Sequence, residues 1–154
     1  MRLQVSTRLA IFAVLELTAR EGRQLSVAEI GDKYGVSSHH LAKVMHVMGR
    51  AGLVRSVRGA GGGYQFVGNA RRTTLLDVAQ LFEDLSAVEQ STAAGDAARE
   101  EQTLNDVLGE IDDVARATLG SITIATMRKL VDRRPAGKSQ LSNGTSRRRN
   151  SPGL

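Results

Sequence analysis

From Arg8 to Ala19 the chain is apolar at nearly every position, so a helix there must be covered on most sides before Gly22 ends it. Ser6 or Thr7 stands where its N-cap would be. A second, short helix is expected over Val27–Tyr34. Ser26 precedes it and Glu29 follows in capping-box spacing, while Ala28, Ile30 and Tyr34 supply apolar contacts and Gly35 stops it. A third helix fits Ser38–Ala51, capped by Ser37, with Leu41, Val44, Met45 and Met48 on one stripe.

After Gly52 the period changes from helical to alternating. Leu53–Val57 reads as a strand and Tyr64–Val67 as its partner, joined by the glycine-rich tip Arg58-Gly59-Ala60-Gly61-Gly62-Gly63. Thr74 caps a fourth helix expected to run to about Leu85. The low-complexity stretch 86–96 reads as a loop. A long helix over Ala97–Leu119 then places Leu104, Val107, Leu108, Ile111, Val114, Ala115 and Leu119 at three- and four-residue steps. Gly120 is expected to break it, and Thr123 to cap a last helix ending near Val131. Beyond Arg134 the chain is rich in Pro, Gly, Ser, Asn and Arg, so residues 135–154 are expected to be a disordered basic tail.

The fold class this implies is mainly α with a small β-hairpin wing. It divides into 1–85, a helix-turn-helix with a wing; 86–96, a loop; 97–134, a long helix and a terminal helix; and the tail. A length of 154 residues suits one small domain with an appended element. Arg2 and Arg8 ahead of the apolar run Leu9–Leu15 imitate a secretory signal, but Glu16 interrupts it and a buried first helix is expected instead. No apolar run is long enough to span a bilayer, so a cytoplasmic chain without membrane contact is expected.

Composition narrows the function. The chain contains no cysteine, which excludes a disulfide framework, a thiolate-held zinc and a cysteine-ligated iron-sulfur cluster. Its net charge of +5 is unevenly spread: 11 basic against 4 acidic residues over 1–72, 4 against 12 over 73–132, and 6 against none over 133–154. The hairpin-and-helix part is therefore basic, the long-helix part acidic. Acidic Glu89, Asp96, Glu100, Glu101 and Asp106 match no calcium-loop spacing and read as a solvated face, so no cofactor or metal is expected.

Two short helices joined by a tight turn and followed by a hairpin are what a winged helix-turn-helix needs. The face of the third helix turned away from its apolar stripe offers hydroxyl, imidazole and ammonium groups that can reach base edges or phosphates. Ser38, His39 and Lys43 are the base-edge candidates, with His40 and His46 beside them. Arg50 and Arg2 are phosphate candidates. On the wing, Arg55 and Arg58 flank a tip in which Gly59, Gly61 and Gly62 let the backbone approach a strand of double-stranded DNA.

The segment from Gly52 to Tyr64, together with Met1-Arg2-Leu3, Val36-Ser37, Leu41, Ala51-Gly52-Leu53 and Thr74-Leu75-Leu76-Asp77-Val78, resembles the Rrf2 family of bacterial transcription regulators over roughly residues 1–131. That resemblance implies a homodimer on a palindromic operator, usually as a repressor, with the long helix as the dimerisation element. An amphipathic helix following a complete small domain agrees, since its stripe needs a partner. Many members of that family sense through three cysteines before the long helix. Here those positions carry none, so cluster-based sensing does not transfer. A second function class remains open from the sequence, a protein-interaction module or a regulator controlled by a partner enzyme; charge reversal at Arg58 separates the two. An enzyme finds no support, because no carboxylate stands at helical spacing to orient the three histidines.

Overall fold

Covering the evenly apolar first helix organises the whole molecule. A computed structural model describes residues 2–19, 22, 24–84 and 94–135. In chain order the elements are α1 (Val5–Ala19), α2 (Val27–Tyr34), α3 (Ser38–Arg50), β1 (Val54–Val57), β2 (Gly63–Phe66), α4 (Leu75–Ala79), α5 (Asp96–Ser121) and α6 (Ile124–Asp132). The mainly helical architecture with one antiparallel hairpin is the one the sequence pattern implies. Around α1 pack α3, α4, α6 and β2, and its Leu9, Ala10, Ala13, Val14 and Leu17 are buried among them. Leu41, Val44, Met45 and Met48 of α3, Val78 of α4 and Ile124 of α6 belong to the same core.

The caps of α2 and α3 form as their spacing predicts. Ser26 accepts from the Glu29 N–H while the Glu29 carboxylate accepts from the Ser26 N–H, and Gly35 closes α2 in the left-handed conformation. Ser37 accepts from the N–H of His40 at the start of α3. The hairpin pairs Val54 with Phe66, Arg55 with Gln65, Ser56 with Tyr64 and Val57 with Gly63, so the first strand begins one residue after Leu53 and the second ends one residue before Val67.

Three expectations need correction, each because a tertiary contact overrides a local signal. The first helix begins at Val5, so Ser6 and Thr7 lie inside it. Its N-terminus is met by Glu83 instead, whose Oε1 accepts from the Gln4 N–H at 2.6 Å and from the Thr7 hydroxyl at 2.5 Å. The fourth helix stops at Ala79, well short of Leu85. The turns that follow bring the Glu83 N–H to Ala79 O at 2.8 Å and leave the Glu83 carboxylate at the start of α1. Lastly, Gly120 continues α5 rather than breaking it. The helix ends at Ser121 because Ile122 and Ile124 bond extended backbone, with the Leu75 N–H donating to Ile122 O and the Ile124 N–H to Thr73 O, both at 2.9 Å. At Gly120 a Cβ would stand 3.4 Å from Leu76 Cδ2, about an ordinary contact, so this glycine faces α4 without being forced by it.

Asp96, expected in the loop, is the first residue of α5. The rest of the fourth-helix and loop expectation over 85–93, and the tail over 136–154, lie outside the described residues. Among the described residues no helix is long and apolar enough to cross a membrane.

Candidate nucleic-acid interface

Helix α3 is divided sharply between its two faces. Leu41, Val44, Met45 and Met48 are buried against α1 and α2, which leaves Ser38, His39, Lys43, His46 and Arg50 exposed along the other side. His39, Lys43, His46 and Arg50 follow one another at steps of three and four residues, so the donors form a continuous ridge about the length of the helix. Five of the six helix candidates thus share one solvent-facing surface. The sixth, His40, is half-buried and turned toward α1, its Nε2 3.4 Å from the Ser6 hydroxyl.

Val47 belongs on the ridge and was not among the sequence candidates. It is 36% exposed between Lys43 and Arg50, where an apolar side chain can meet a thymine methyl group. The signal was present in the sequence as a β-branched residue outside the buried stripe, but apolar character alone assigns such a residue to the core.

The wing is held at both ends. Arg55 is exposed on β1 and its Nη2 donates to Gln65 Oε1 directly across the hairpin at 3.0 Å, which keeps the guanidinium extended beside the strand. Arg58 is exposed where the chain leaves β1 for the tip. Gly59 and Gly61 have positive φ, of 113° and 73°, and the Gly62 N–H donates to Gly59 O at 2.9 Å to close the turn. Gly62 has no room for a side chain, since a Cβ would lie 2.7 Å from Val57 O. The tip glycines thus have an internal reason to be glycine, independent of any ligand.

A tether that the sequence pattern did not announce fixes the hairpin to the helices. Leu25 and Tyr64 exchange both backbone hydrogen bonds, at 3.0 and 2.7 Å, just ahead of α2. Gly63 allows it, because a Cβ there would come within 2.5 Å of the Leu25 carbonyl. The wing is therefore positioned relative to α2 and α3 by backbone pairing. Arg2 is exposed in the short segment ahead of α1.

The long-helix residues Leu104, Val107, Leu108, Ile111 and Val114 are between 48% and 67% exposed, and Ala115 is half-buried. No residue of α5 is buried along its 26 residues. Among the described residues no group of three or more His, Cys, Asp or Glu side chains could hold a metal ion.

The family model described as "Iron-dependent Transcriptional regulator", Rrf2, matches residues 3–129 of this chain. BadM of Rhodopseudomonas palustris, named as an HTH-type transcriptional regulator, is 46% identical over 153 residues, which cover 99% of this chain and 97% of BadM. Among solved structures, CymR of B. subtilis, titled the global cysteine regulator, superposes with a TM-score of 0.70 at 26% identity, over 84% of this chain and 98% of CymR. T. potens IscR does so with a TM-score of 0.65 at 26% identity, over 89% of this chain and 94% of IscR.

Proposed function

The chain belongs to the Rrf2 family of transcriptional regulators, and on that premise we propose that two copies bind one palindromic DNA operator and repress transcription from it. Membership makes the chain a DNA-binding winged-helix regulator and not an enzyme. What carries the DNA-reading part of this proposal is the exposed ridge of Ser38, His39, Lys43, His46 and Arg50 on a helix whose opposite face is buried, and the two-copy part rests on the exposed apolar stripe of α5. A helix anchored on one side and lined with donors on the other is suited to a major groove, and the pinned wing with Arg55 and Arg58 suits the adjacent backbone or minor groove. Arg2 is assigned to phosphate. In this division residues 1–85 read DNA, with Gly59, Gly61 and Gly62 shaping the wing tip, and residues 97–134 carry dimerisation through the α5 stripe.

The iron in the family's description does not fit this chain through thiolate ligands. With no cysteine anywhere and no other metal-binding group among the described residues, iron enters no step of the proposed mechanism. The acidic α5 half sits apart in sequence from the basic reading half, which favours DNA on the α3 and wing side.

Arg58→Glu and Lys43→Glu are the direct tests. Operators are first selected from random duplexes with the unaltered protein, and affinity is then compared by fluorescence anisotropy. Each reversal is expected to weaken operator binding at least roughly tenfold, since a lost phosphate or base contact and a new repulsion act together. Oligomeric state should not change. Retention of full affinity in both variants would refute the assignment of α3 and the wing as the DNA surface.

A further inference from the structure

Glu16 interrupts the apolar run of α1, and its partners show how it is tolerated. Its side chain is only 15% exposed, it accepts from the Tyr34 hydroxyl at 2.8 Å, and it is ion-paired with Lys33. Tyr34 in turn stacks on Phe12, with ring centroids 4.8 Å apart and planes 6° from parallel. These groups form one wall of a cleft of about 510 Å³ between α1, α2 and α6, and Met127, Arg128, Val131 and Asp132 of α6 form the other.

The charges in this cleft are unequally matched. Lys33 and Tyr34 both donate to Glu16, so the carboxylate and the ammonium offset each other. Arg128, 26% exposed, donates from Nη1 to the Leu15 carbonyl at 3.3 Å, which braces it against α1. Its Nη2 lies 3.7 Å from the carboxylate of Asp132, which is 64% exposed, too far for a direct hydrogen bond. A guanidinium has five N–H donors in a planar fork, and a solvated carboxylate at that distance satisfies little of it. A planar anion inside the cleft would complete the fork better than Asp132 does.

We propose that this cleft binds a small organic acid, its carboxylate taken by Arg128 and its apolar body laid between Phe12, Leu15, Met127 and Val131. An apolar enclosure with one convergent cationic group is the usual construction of a small-molecule site. With Lys33 offset by Glu16, a cationic ligand would still meet the Arg128 guanidinium unfavourably. Lys33 and Tyr34 are also among the last residues of α2, and Gly35 leads from them into the turn before α3. Ligand pressing on the Tyr34–Glu16 pair thus acts on the junction that orients the DNA-reading helix. Only this consequence rests on the DNA-binding proposal; the binding itself does not.

Calorimetric titration of the full-length protein with octanoate, octanol and octylamine tests the site with one apolar body and three head groups. Octanoate is expected to saturate at one molecule per chain and to bind roughly tenfold more tightly than octanol, the difference of about one good charge-assisted contact. Octylamine should not bind. Arg128→Gln should reduce octanoate to the level of octanol, and Arg128→Lys should restore part of the difference; folding of both is checked by circular dichroism. Equal binding of octanoate and octanol by the unaltered protein, no saturable uptake of octanoate, or uptake undiminished in Arg128→Gln would each overturn the proposal. Operator affinity measured on the same preparations with and without octanoate keeps the two proposals apart. A protein that takes octanoate through Arg128 but binds no operator would count against the DNA reading and leave the site standing.

Discussion

Two glutamates, Glu16 and Glu83, meet α1 from within and from outside, and each has a consequence that can be measured. The Tyr34 hydroxyl is held above its ordinary pKa first by burial, then by its hydrogen bond to Glu16 and the negative charge of that carboxylate. An unfolded phenol titrates near 10. Because the folded value is higher, the stability contributed is complete below about pH 10 and is lost as the pH climbs from there toward the folded value. Urea unfolding between pH 8 and pH 11 should show an alkaline decline that Tyr34→Phe lacks; parallel curves for the two proteins would contradict this. Glu83 matters for a different reason, since the Thr7 hydroxyl that it accepts from is fully buried. Glu83→Ala strands that donor and should cost about 1–3 kcal/mol, with Glu83→Gln losing less because an amide oxygen still accepts. Urea midpoints for the two variants give the comparison.

At the scale of elements, local signals held wherever the partner of a group was also local. Ser26 with Glu29, Ser37 with His40, and Thr74 with Asp77 are caps closed within three residues, and all were legible. The start of α1, the end of α4 and the end of α5 were not, because Glu83 reaches back 76 residues to Thr7 and the Ile122 carbonyl accepts from the distant Leu75 N–H. The wing shows the same division. Its two strands and glycine tip follow from period and composition, whereas its attachment through Leu25 and Tyr64 needed coordinates. Gly63→Ala tests that attachment. A methyl group there meets backbone atoms of Leu25 and Ser26 that cannot give way, so stability should fall by about 1–3 kcal/mol, the usual cost of overpacking. DNA affinity should fall as well, and an anisotropy titration showing unchanged affinity would mean that the wing does not need its tether.

For the molecule as a whole, the unpartnered stripe of α5 sets the expectation. Leu104, Leu108 and Ile111 are about half exposed or more, between 48% and 58%, on a helix about 39 Å long by the standard rise per residue. Such a helix gains little stability alone and needs its apolar side covered. Ile111→Asp should convert a dimer to a monomer in sedimentation while leaving helicity nearly unchanged, since Ile111 is 58% exposed and contributes nothing to the core. Operator affinity should drop with it, because a palindrome rewards two linked copies. A variant that stays dimeric would move the interface elsewhere on the molecule.

The amino-acid sequence by itself determined the helix order, the hairpin, the local caps, the donor face of α3 and the absence of thiolate chemistry. Each depends on residue type and on spacing within a few positions. Only the tertiary structure decided that His40 turns aside to Ser6 while Val47 joins the exposed ridge, that Glu83 closes the start of α1, and that Gly63 holds the wing to the segment ahead of α2. Those outcomes depend on which distant atoms compete for a donor or for space, and that competition has no period along the chain.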